Sequence, residues 1–120
     1  MVYDLKLPEG CPTEAANEFE GEAYRVVKTD PPTHSDLLTY LEMNLYPTAD
    51  PCKRGAISLF AALDQAQHRL DISPYLGKYV ASIRLTTAHG RCTSPNKVGH
   101  MSWWPYLSMR NASDLKVIGQ

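Results

Sequence analysis

The chain has 120 residues, of which 43% are hydrophobic and 21% charged, and its formal net charge is −1. This length favours a single domain, and the composition is that of a globular protein rather than a disordered or fibrous one. Because the chain is almost neutral and has no apolar run near the ~20 residues of a membrane span, we expect neither a dedicated polyanion binder nor a membrane protein.

An acidic N-terminal arm, residues 1–21, is predicted to precede a single domain over residues 22–120. The first 22 residues hold six acids and one base, a charge of −5, which leaves +4 for the rest. Proline and glycine interrupt the stretch, so we expect an arm that is either loosely packed or wrapped on the body. The chain does not begin with a basic segment followed by an apolar one, which predicts a cytoplasmic location.

The first strand of the body is predicted at residues 23–27, which are aromatic and β-branched. A helix is predicted over residues 33–45, because Thr33 or Ser35 can cap it and leucines recur at helical spacing. The later predictions, in chain order, are a loop at 50–55, a buried strand at 56–60, a helix at 61–73, strands at 79–85 and 91–93, an irregular stretch at 94–113 and a final strand at 115–118. Two helices with four to five strands indicate an α+β domain with a mixed or antiparallel sheet.

The cysteines Cys11, Cys52 and Cys92 are spaced about 40 residues apart and form no C-x-x-C pair. This spacing is typical of reduced thiols in a cytosolic protein. His89 and His100 add ligand types that zinc accepts, but without the paired spacing of a zinc site. We therefore expect neither a metal nor a cofactor.

Two adjacent tryptophans form the strongest local anomaly, in the run from His100 to Trp104. One interpretation is packing, with an indole filling the core beneath a long loop and His100 bonded to the backbone. The other is a functional site, in which Trp103 and Trp104 form a stacking wall for a base, sugar or cation and His100 carries a proton. The sequence leaves both interpretations open.

Tyr24, Arg25 and Ser58 are the other candidate ligand-binding residues. A strand arginine facing a cleft can grip carboxylate or phosphate with its fork of N–H donors, although it can equally point to solvent. A serine among apolar residues needs a hydrogen-bond partner if it is buried, and most such serines bond neighbouring backbone. The expected ligand of these residues is small, polar and anionic or aromatic.

Known phosphate-loop and nucleophile motifs are absent, since neither a G-x-x-x-x-G-K-S/T nor a G-x-S-x-G pattern occurs. Residues 81–120 carry five bases and one acid beside aromatic residues, a mixture that also occurs in single-strand binders. An ordinary solvated face has the same charges, and the chain lacks the strongly basic balance of nucleic-acid-binding proteins. Nucleic acid is therefore not the expected partner.

The layout resembles a group of small uncharacterised bacterial proteins. The resemblance is carried by Tyr24-Arg25, by Ala56-Ile57-Ser58-Leu59-Phe60 and by His100-x-x-Trp103-Trp104, and it covers residues 22–118. The group implies a layout without a known biochemical role.

A more distant resemblance is to the ADP-ribosyltransferase group, which has an arginine on its first strand and a serine on a later one. It implies that Arg25 grips the phosphates of NAD and that Ser58 orients the nicotinamide ribose. The catalytic glutamate of that group follows the serine, whereas no glutamate follows Glu42 in this chain. Transferase chemistry here would depend on another group, such as His100.

Three hypotheses follow. The first is a non-catalytic binding domain for a small polar or anionic ligand, and the second is a nucleotide- or NAD-using enzyme. The third is a protein-interaction module, including a homo-oligomer formed through the arm or the tryptophan segment. The first two require that Arg25, Ser58 and His100 converge on one concavity.

Overall fold

The computed structural model describes residues 2–118, which form one antiparallel sheet of seven strands with two α-helices. The strands are β1 (Asn17–Glu18), β2 (Gly21–Val27), β3 (Ile57–Phe60), β4 (Tyr79–Leu85), β5 (Gly90–Cys92), β6 (His100–Pro105) and β7 (Lys116–Val117). Their order across the sheet is β1-β5-β6-β3-β2-β4-β7. The helices are α1 (Pro51–Arg54) and α2 (Leu63–Ile72). The α+β class agrees with the prediction, but seven strands replace the expected four to five.

One of the additional strands, β6, shows that the irregular stretch predicted at residues 94–113 is wrong for residues 100–105. It pairs with β3 on one side and β5 on the other, so that Trp103 lies opposite both Ile57 and Cys92. Its partner β3 is distant in sequence, although β5 directly precedes it in the chain. Pro105 occupies the last strand position, where it suggests a turn when read locally. Long-range pairing, which local propensity does not report, makes this segment a strand.

The helix predicted over residues 33–45 is also wrong. Only a short 3-10 turn forms, at His34–Leu37. Asn44 and Tyr46 have left-handed backbone conformations, with φ of 56° and 53°, which a right-handed helix does not accept. The buried Asp36 carboxylate accepts hydrogen bonds from the backbone N–H groups of Lys28 and Thr33. These bonds fold the segment back onto the end of β2.

The later helix prediction, at residues 61–73, is confirmed by α2. The loop predicted at residues 50–55 instead contains the short helix α1. Asp50 caps α1 by accepting from the Cys52 N–H at 3.0 Å, and Pro51 occupies the first helical position, where no N–H donor is required. No helix within residues 2–118 has the length and apolarity needed to cross a membrane.

The main core lies on one face of the sheet and is built from alternate strand positions. Ala23, Ile57, Ile83 and Trp103 are among its fully buried members. The opposite face carries Phe60 and Val80, against which α2 packs Ala66. Alternation along each strand thus separates a continuous apolar layer from a second face that is only partly covered.

The N-terminal arm is wrapped on the body, which is one of the two predicted alternatives. Its β1 pairs with β5, and Ala16 is buried beside Trp104. Cys11 in the arm forms a disulfide with Cys52 in α1, so the prediction that all three thiols are reduced is wrong for this pair. The two Cα atoms lie 5.5 Å apart, a separation set by the wrapping of the arm, which cysteine spacing does not show.

Candidate functional site

A cavity of about 420 Å³ lies where β2 and β3 separate, with β6 and α2 beside it. The two strands pair only at Tyr24 and Phe60, so beyond this point the ladder stops and a cleft opens. Residues 39–49, here called the rim loop, supply Tyr40, Leu45 and Tyr46 to one side of the cleft. The sheet therefore forms the floor, and an irregular segment forms the rim.

Arg25 extends into this cleft and contacts both of its sides. Its Nε donates to the backbone carbonyl of Asp36 at 2.7 Å, and its Nη1 donates to that of Ser58 at 2.8 Å. The guanidinium thus donates to the Ser58 carbonyl at a point where the backbone pairing of β2 with β3 has ended. Both acceptors are neutral carbonyl groups, so these bonds hold the side chain in place without cancelling its charge.

The nearby Asp36 does not neutralise Arg25 through an ion pair. Its carboxylate accepts from the Thr29 hydroxyl and from the Lys28 and Thr33 N–H groups. Burial opposes ionisation of Asp36, but these hydrogen bonds outweigh burial and lower its pKa. Burial lowers the pKa of Arg25 to about 10, and its electrostatic interactions with Tyr40 and Asp36 oppose this only in part. At neutral pH the guanidinium is a desolvated cation that an incoming anion would stabilise.

Ser58 and His100 meet inside the same cavity. The two residues lie on neighbouring strands, and His100 Nε2 is 3.0 Å from Ser58 Oγ. Burial, followed by the charges of Arg69 and Lys53, lowers the pKa of His100. The imidazole is therefore neutral at pH 7. An anion placed beside it would favour protonation, because the ring then gains a charge partner.

Two further cationic side chains, those of Lys28 and Arg69, line the cavity. Lys28 follows the end of β2, and Arg69 lies on α2. Within residues 2–118 neither these two residues nor Arg25 forms an ion pair, and no carboxylate lines the cavity. The concentration of unpaired positive charge in one concave site favours anions, because low-dielectric walls strengthen the field there.

Three tyrosines and Phe60 form the aromatic part of the lining. Tyr40 and Tyr46 make an edge-to-face contact with ring centroids 4.9 Å apart. Tyr75 also lines the cavity, lies in the 3-10 turn after α2, and is 77% exposed. Exposed aromatic rings are large amphipathic surfaces, on which a planar ligand can stack with modest loss of side-chain freedom.

The structure brings together three of the six candidate ligand-binding residues, namely Arg25, Ser58 and His100. The tryptophans do not form a stacking wall, which corrects that alternative: Trp103 is 0% and Trp104 is 1% exposed. Their indole N–H groups donate to the carbonyls of His89 and Cys52, so both rings are packing residues with satisfied donors.

Tyr24 is also outside the cavity lining. It packs in the cluster of Phe60, Ala66 and Val80 on the helix-covered face of the sheet. Its cluster neighbour Phe60 lines the cavity, whereas Tyr24 itself does not.

Sequence reasoning missed Lys28, Arg69 and the three tyrosines of the lining. Lys28 lay beyond the predicted strand, and Arg69 was one of several polar positions on a helix. Tyr40 falls in a predicted helix that does not form and Tyr46 just after it, so their convergence had no local signal. Within the described part of the chain, no three His, Cys, Asp or Glu side chains are grouped to hold a metal ion.

Comparisons with other proteins add no family to this geometry. No family model matches the chain, and no significant match was found among curated proteins or among solved structures. Both resemblances described from the sequence therefore stay predictions. The cavity and its charges are therefore the features that indicate a function.

Proposed function

We propose that this protein is a non-catalytic binding domain for a small anionic ligand that carries a planar ring. The observation that carries the proposal is a cavity with Arg25, Lys28, Arg69 and His100 in its lining and no carboxylate among the described residues. Phosphate, sulfonate and carboxylate groups are the anions that such N–H donors recognise best. A protein partner presenting one of these groups on an aromatic side chain would meet the same requirements.

The fixed position of Arg25 supports the first part of the proposal, that the ligand is an anion. The side chain is already ordered by two carbonyl acceptors, so little further conformational entropy is lost when an anion binds. A hydrogen bond to a charged group contributes about 1.5–3 kcal/mol, more than a neutral one. Lys28 and Arg69 add positive charge to the same lining.

The tyrosines support the second part of the proposal, that the ligand carries a planar ring. Stacking of a planar ring on aromatic side chains contributes about 1–3 kcal/mol for each base in nucleic-acid complexes. Tyr40, Tyr46 and Tyr75 offer this surface around the same opening as the cations. A ligand with both an anionic group and a planar ring would contact the cations and the tyrosines, whereas a ring-free anion would contact only the cations.

The test is titration calorimetry with sulfate, pyrophosphate, phenyl phosphate and adenosine monophosphate. We expect the ring-bearing phosphates to bind about tenfold more tightly than a ring-free anion of equal charge. The double variant Lys28→Gln/Arg69→Gln should weaken all four. Its matched control is Arg84→Gln/Lys116→Gln, which removes the same charge from exposed residues outside the cavity.

Two results would contradict the proposal. One is failure of the wild-type protein to bind any of the four probes at millimolar concentration. The other is equal weakening by the cavity variant and by its control, which would indicate a general charge effect rather than a site.

A second candidate function is a nucleotide- or NAD-using transferase or glycohydrolase, as the resemblance to ADP-ribosyltransferases suggests. The 3.0 Å contact between His100 Nε2 and Ser58 Oγ favours it, because Ser58 would orient the ribose while His100 transfers a proton. Arg25 would hold the phosphates. Chromatographic detection of nicotinamide released from NAD tests this, and His100→Gln should abolish release while NAD still binds. No release by the wild type would leave only the binding function.

The cytoplasmic location stays a prediction, and one observation opposes it. Disulfides persist mainly in oxidising compartments, and this chain forms one between Cys11 and Cys52. Mass measurement of the protein isolated from its native cell, after alkylation of free thiols, would decide between the two. Association through the arm also stays a prediction, which sedimentation analysis can test.

A further inference from the structure

The arm is covalently joined to α1, the helix that follows the rim loop. Cys11 lies in the arm and Cys52 lies in α1, which directly follows the rim loop in the chain. Leu7 and Cys11 of the arm pack with Cys52 and Trp104 in a small cluster of their own. The disulfide is thus the one covalent bond between the arm and the segment that ends the rim loop within residues 2–118.

Arg54 at the end of α1 connects this cluster to the rim loop. Its carbonyl accepts from the Leu41 N–H at 3.0 Å, and its side-chain Nε donates to the Leu45 carbonyl at 2.9 Å. These two bonds span the part of the loop that presents Tyr40, Leu45 and Tyr46 to the cavity. A displacement of α1 would therefore displace the aromatic side of the cavity.

The arm reaches the rim loop by a second route. Arg110 donates through Nε to the Asp4 carboxylate at 2.8 Å and through Nη2 to the Glu42 carboxylate at 3.0 Å. Glu42 belongs to the rim loop, and its carboxylate also accepts from the Thr39 N–H at 3.0 Å. The arm is thus connected to α1 by the disulfide and to Glu42 of the rim loop through Arg110.

We infer that the Cys11–Cys52 disulfide is a redox-sensitive tie that holds α1 and the rim loop in place and so keeps the ligand cavity formed. The inference rests on the proposed anion-binding function for its consequence, but not for its structural part. Reduction by a dithiol would break the S–S bond and give two cysteine thiols, while the reductant forms its own disulfide, with two electrons and two protons transferred. Of the two residues Cys11 is partly exposed and Cys52 is buried, so a reductant approaches from the Cys11 side.

Disulfide exchange within the chain does not complicate this reaction. The third cysteine, Cys92, lies in the main core, where burial raises its pKa to about 12. The thiolate is the reactive form, so Cys92 does not compete for either partner. Reduction should therefore produce one defined open state rather than a mixture of pairings.

The first experiment needs no ligand. Hydrogen exchange of the full chain is compared with and without dithiothreitol, and we expect exchange in residues 39–49 to rise about tenfold while β4 stays protected. The double variant Cys11→Ser/Cys52→Ser should exchange like the reduced protein and should not respond to dithiothreitol. Unchanged exchange in the rim loop on reduction would overturn the inference.

A second variant separates the tie from a general loss of stability. Arg54→Met removes the bond to the Leu45 carbonyl and leaves the disulfide intact, so exchange should rise in the rim loop but not in the arm. Lys53→Met is the matched control, because this exposed neighbour on α1 makes no hydrogen bond to the rim loop in the described structure. An equal effect of both variants would contradict a specific connection.

The ligand measurement then distinguishes this inference from the proposed function. Phenyl phosphate should bind several-fold more weakly to the reduced protein than to the oxidised one. If the oxidised protein does not bind it but rim-loop exchange still responds to reduction, the tie is supported and the binding function fails. If the oxidised protein binds and reduction changes neither affinity nor exchange, the binding function stands and the tie fails.

Discussion

Two arginines show how differently the same side chain is used in this molecule. Arg110 joins the arm to the rim loop, is 6% exposed and pairs with the carboxylates of Asp4 and Glu42. Burial opposes its charge, but the Glu42 and Asp4 interactions raise its pKa. Arg25 is bonded only to carbonyl groups in the described structure, and burial lowers its pKa to about 10.

This difference separates a structural cation from one that is available to a ligand. Arg110 already has the anions that compensate for its desolvation, so adding another would gain little. Arg25 is desolvated with no carboxylate bonded to it and with only partial compensation from the nearby Asp36, an arrangement found more often at functional sites than elsewhere. The comparison predicts that removing Arg110 mainly affects folding, whereas removing Arg25 mainly affects binding.

The largest effect is expected from Arg110→Met. The substitution leaves the Asp4 and Glu42 carboxylates without their cation, and we expect the free energy of unfolding to fall by about 3 kcal/mol. Urea denaturation measures this loss, with the exposed Arg84→Met as control. A loss equal to that of the control would show that the Arg110 contacts contribute nothing.

The wild-type protein should lose the same interaction in acid. Burial opposes ionisation of Glu42, but the Arg110 and Thr39 interactions outweigh it and lower its pKa below the ordinary value of 4.5. The unfolded chain therefore takes up this proton first, so the contribution is complete above pH 4.5 and is lost as pH falls through the lowered pKa. Arg110→Met should flatten this part of the stability profile.

The next effect concerns Arg25→Met and ligand affinity. Loss of a charge-assisted contact of about 2 kcal/mol should weaken pyrophosphate binding about 30-fold. The free energy of unfolding should fall less than in Arg110→Met, since the lost bonds go to carbonyls rather than to carboxylates. If the two variants lose equal stability and equal affinity, the proposed division between them is wrong.

A smaller effect is expected from the protonation of His100. Its pKa is lowered from 6.5 by burial and by the charges of Arg69 and Lys53, so the unfolded chain protonates first and stability falls as pH decreases below 6.5. Bound sulfate should reverse the trend, because it favours the charged ring and thus binds more tightly as pH falls. His100→Gln should remove both dependences, while the exposed His68→Gln should keep them.

The smallest effect is expected from Tyr75→Ala at the rim. The ring is 77% exposed, so the free energy of unfolding should change by less than about 0.5 kcal/mol. Phenyl phosphate should bind about fivefold more weakly, while sulfate binding stays unchanged. Calorimetry on both ligands tests this, and equal weakening of sulfate would mean that Tyr75 does not act through stacking.

Part of this site was predictable from the sequence, and the rest was not. The strand that carries Arg25 and the strand that carries Ser58 follow from local β-propensity, since both segments are short and apolar between turn signals. The rim loop was not predictable, because leucines at helical spacing indicate a helix while the buried Asp36 and the left-handed residues Asn44 and Tyr46 prevent it. Those constraints arise from contacts with β2 and α1.

The double tryptophan also shows what cannot be predicted from residue type alone. Two large aromatic side chains indicate an important segment, but their residue type does not distinguish a binding wall from a core. Pairing of β6 between β3 and β5 buries both indoles and leaves His100, at the start of the strand, beside Ser58. Strand register thus decided which of these neighbours lines the cavity.

The sequence by itself determined the α+β class, the strands that carry Arg25 and Ser58, and helix α2. Local propensity and periodicity suffice for these, because each depends on residues within a few positions of one another. Only the tertiary structure decided the seven-stranded order, the Cys11–Cys52 bond and the set of unpaired cations around one cleft. These depend on which distant segments meet, and the free energy that selects those meetings is summed over the whole fold.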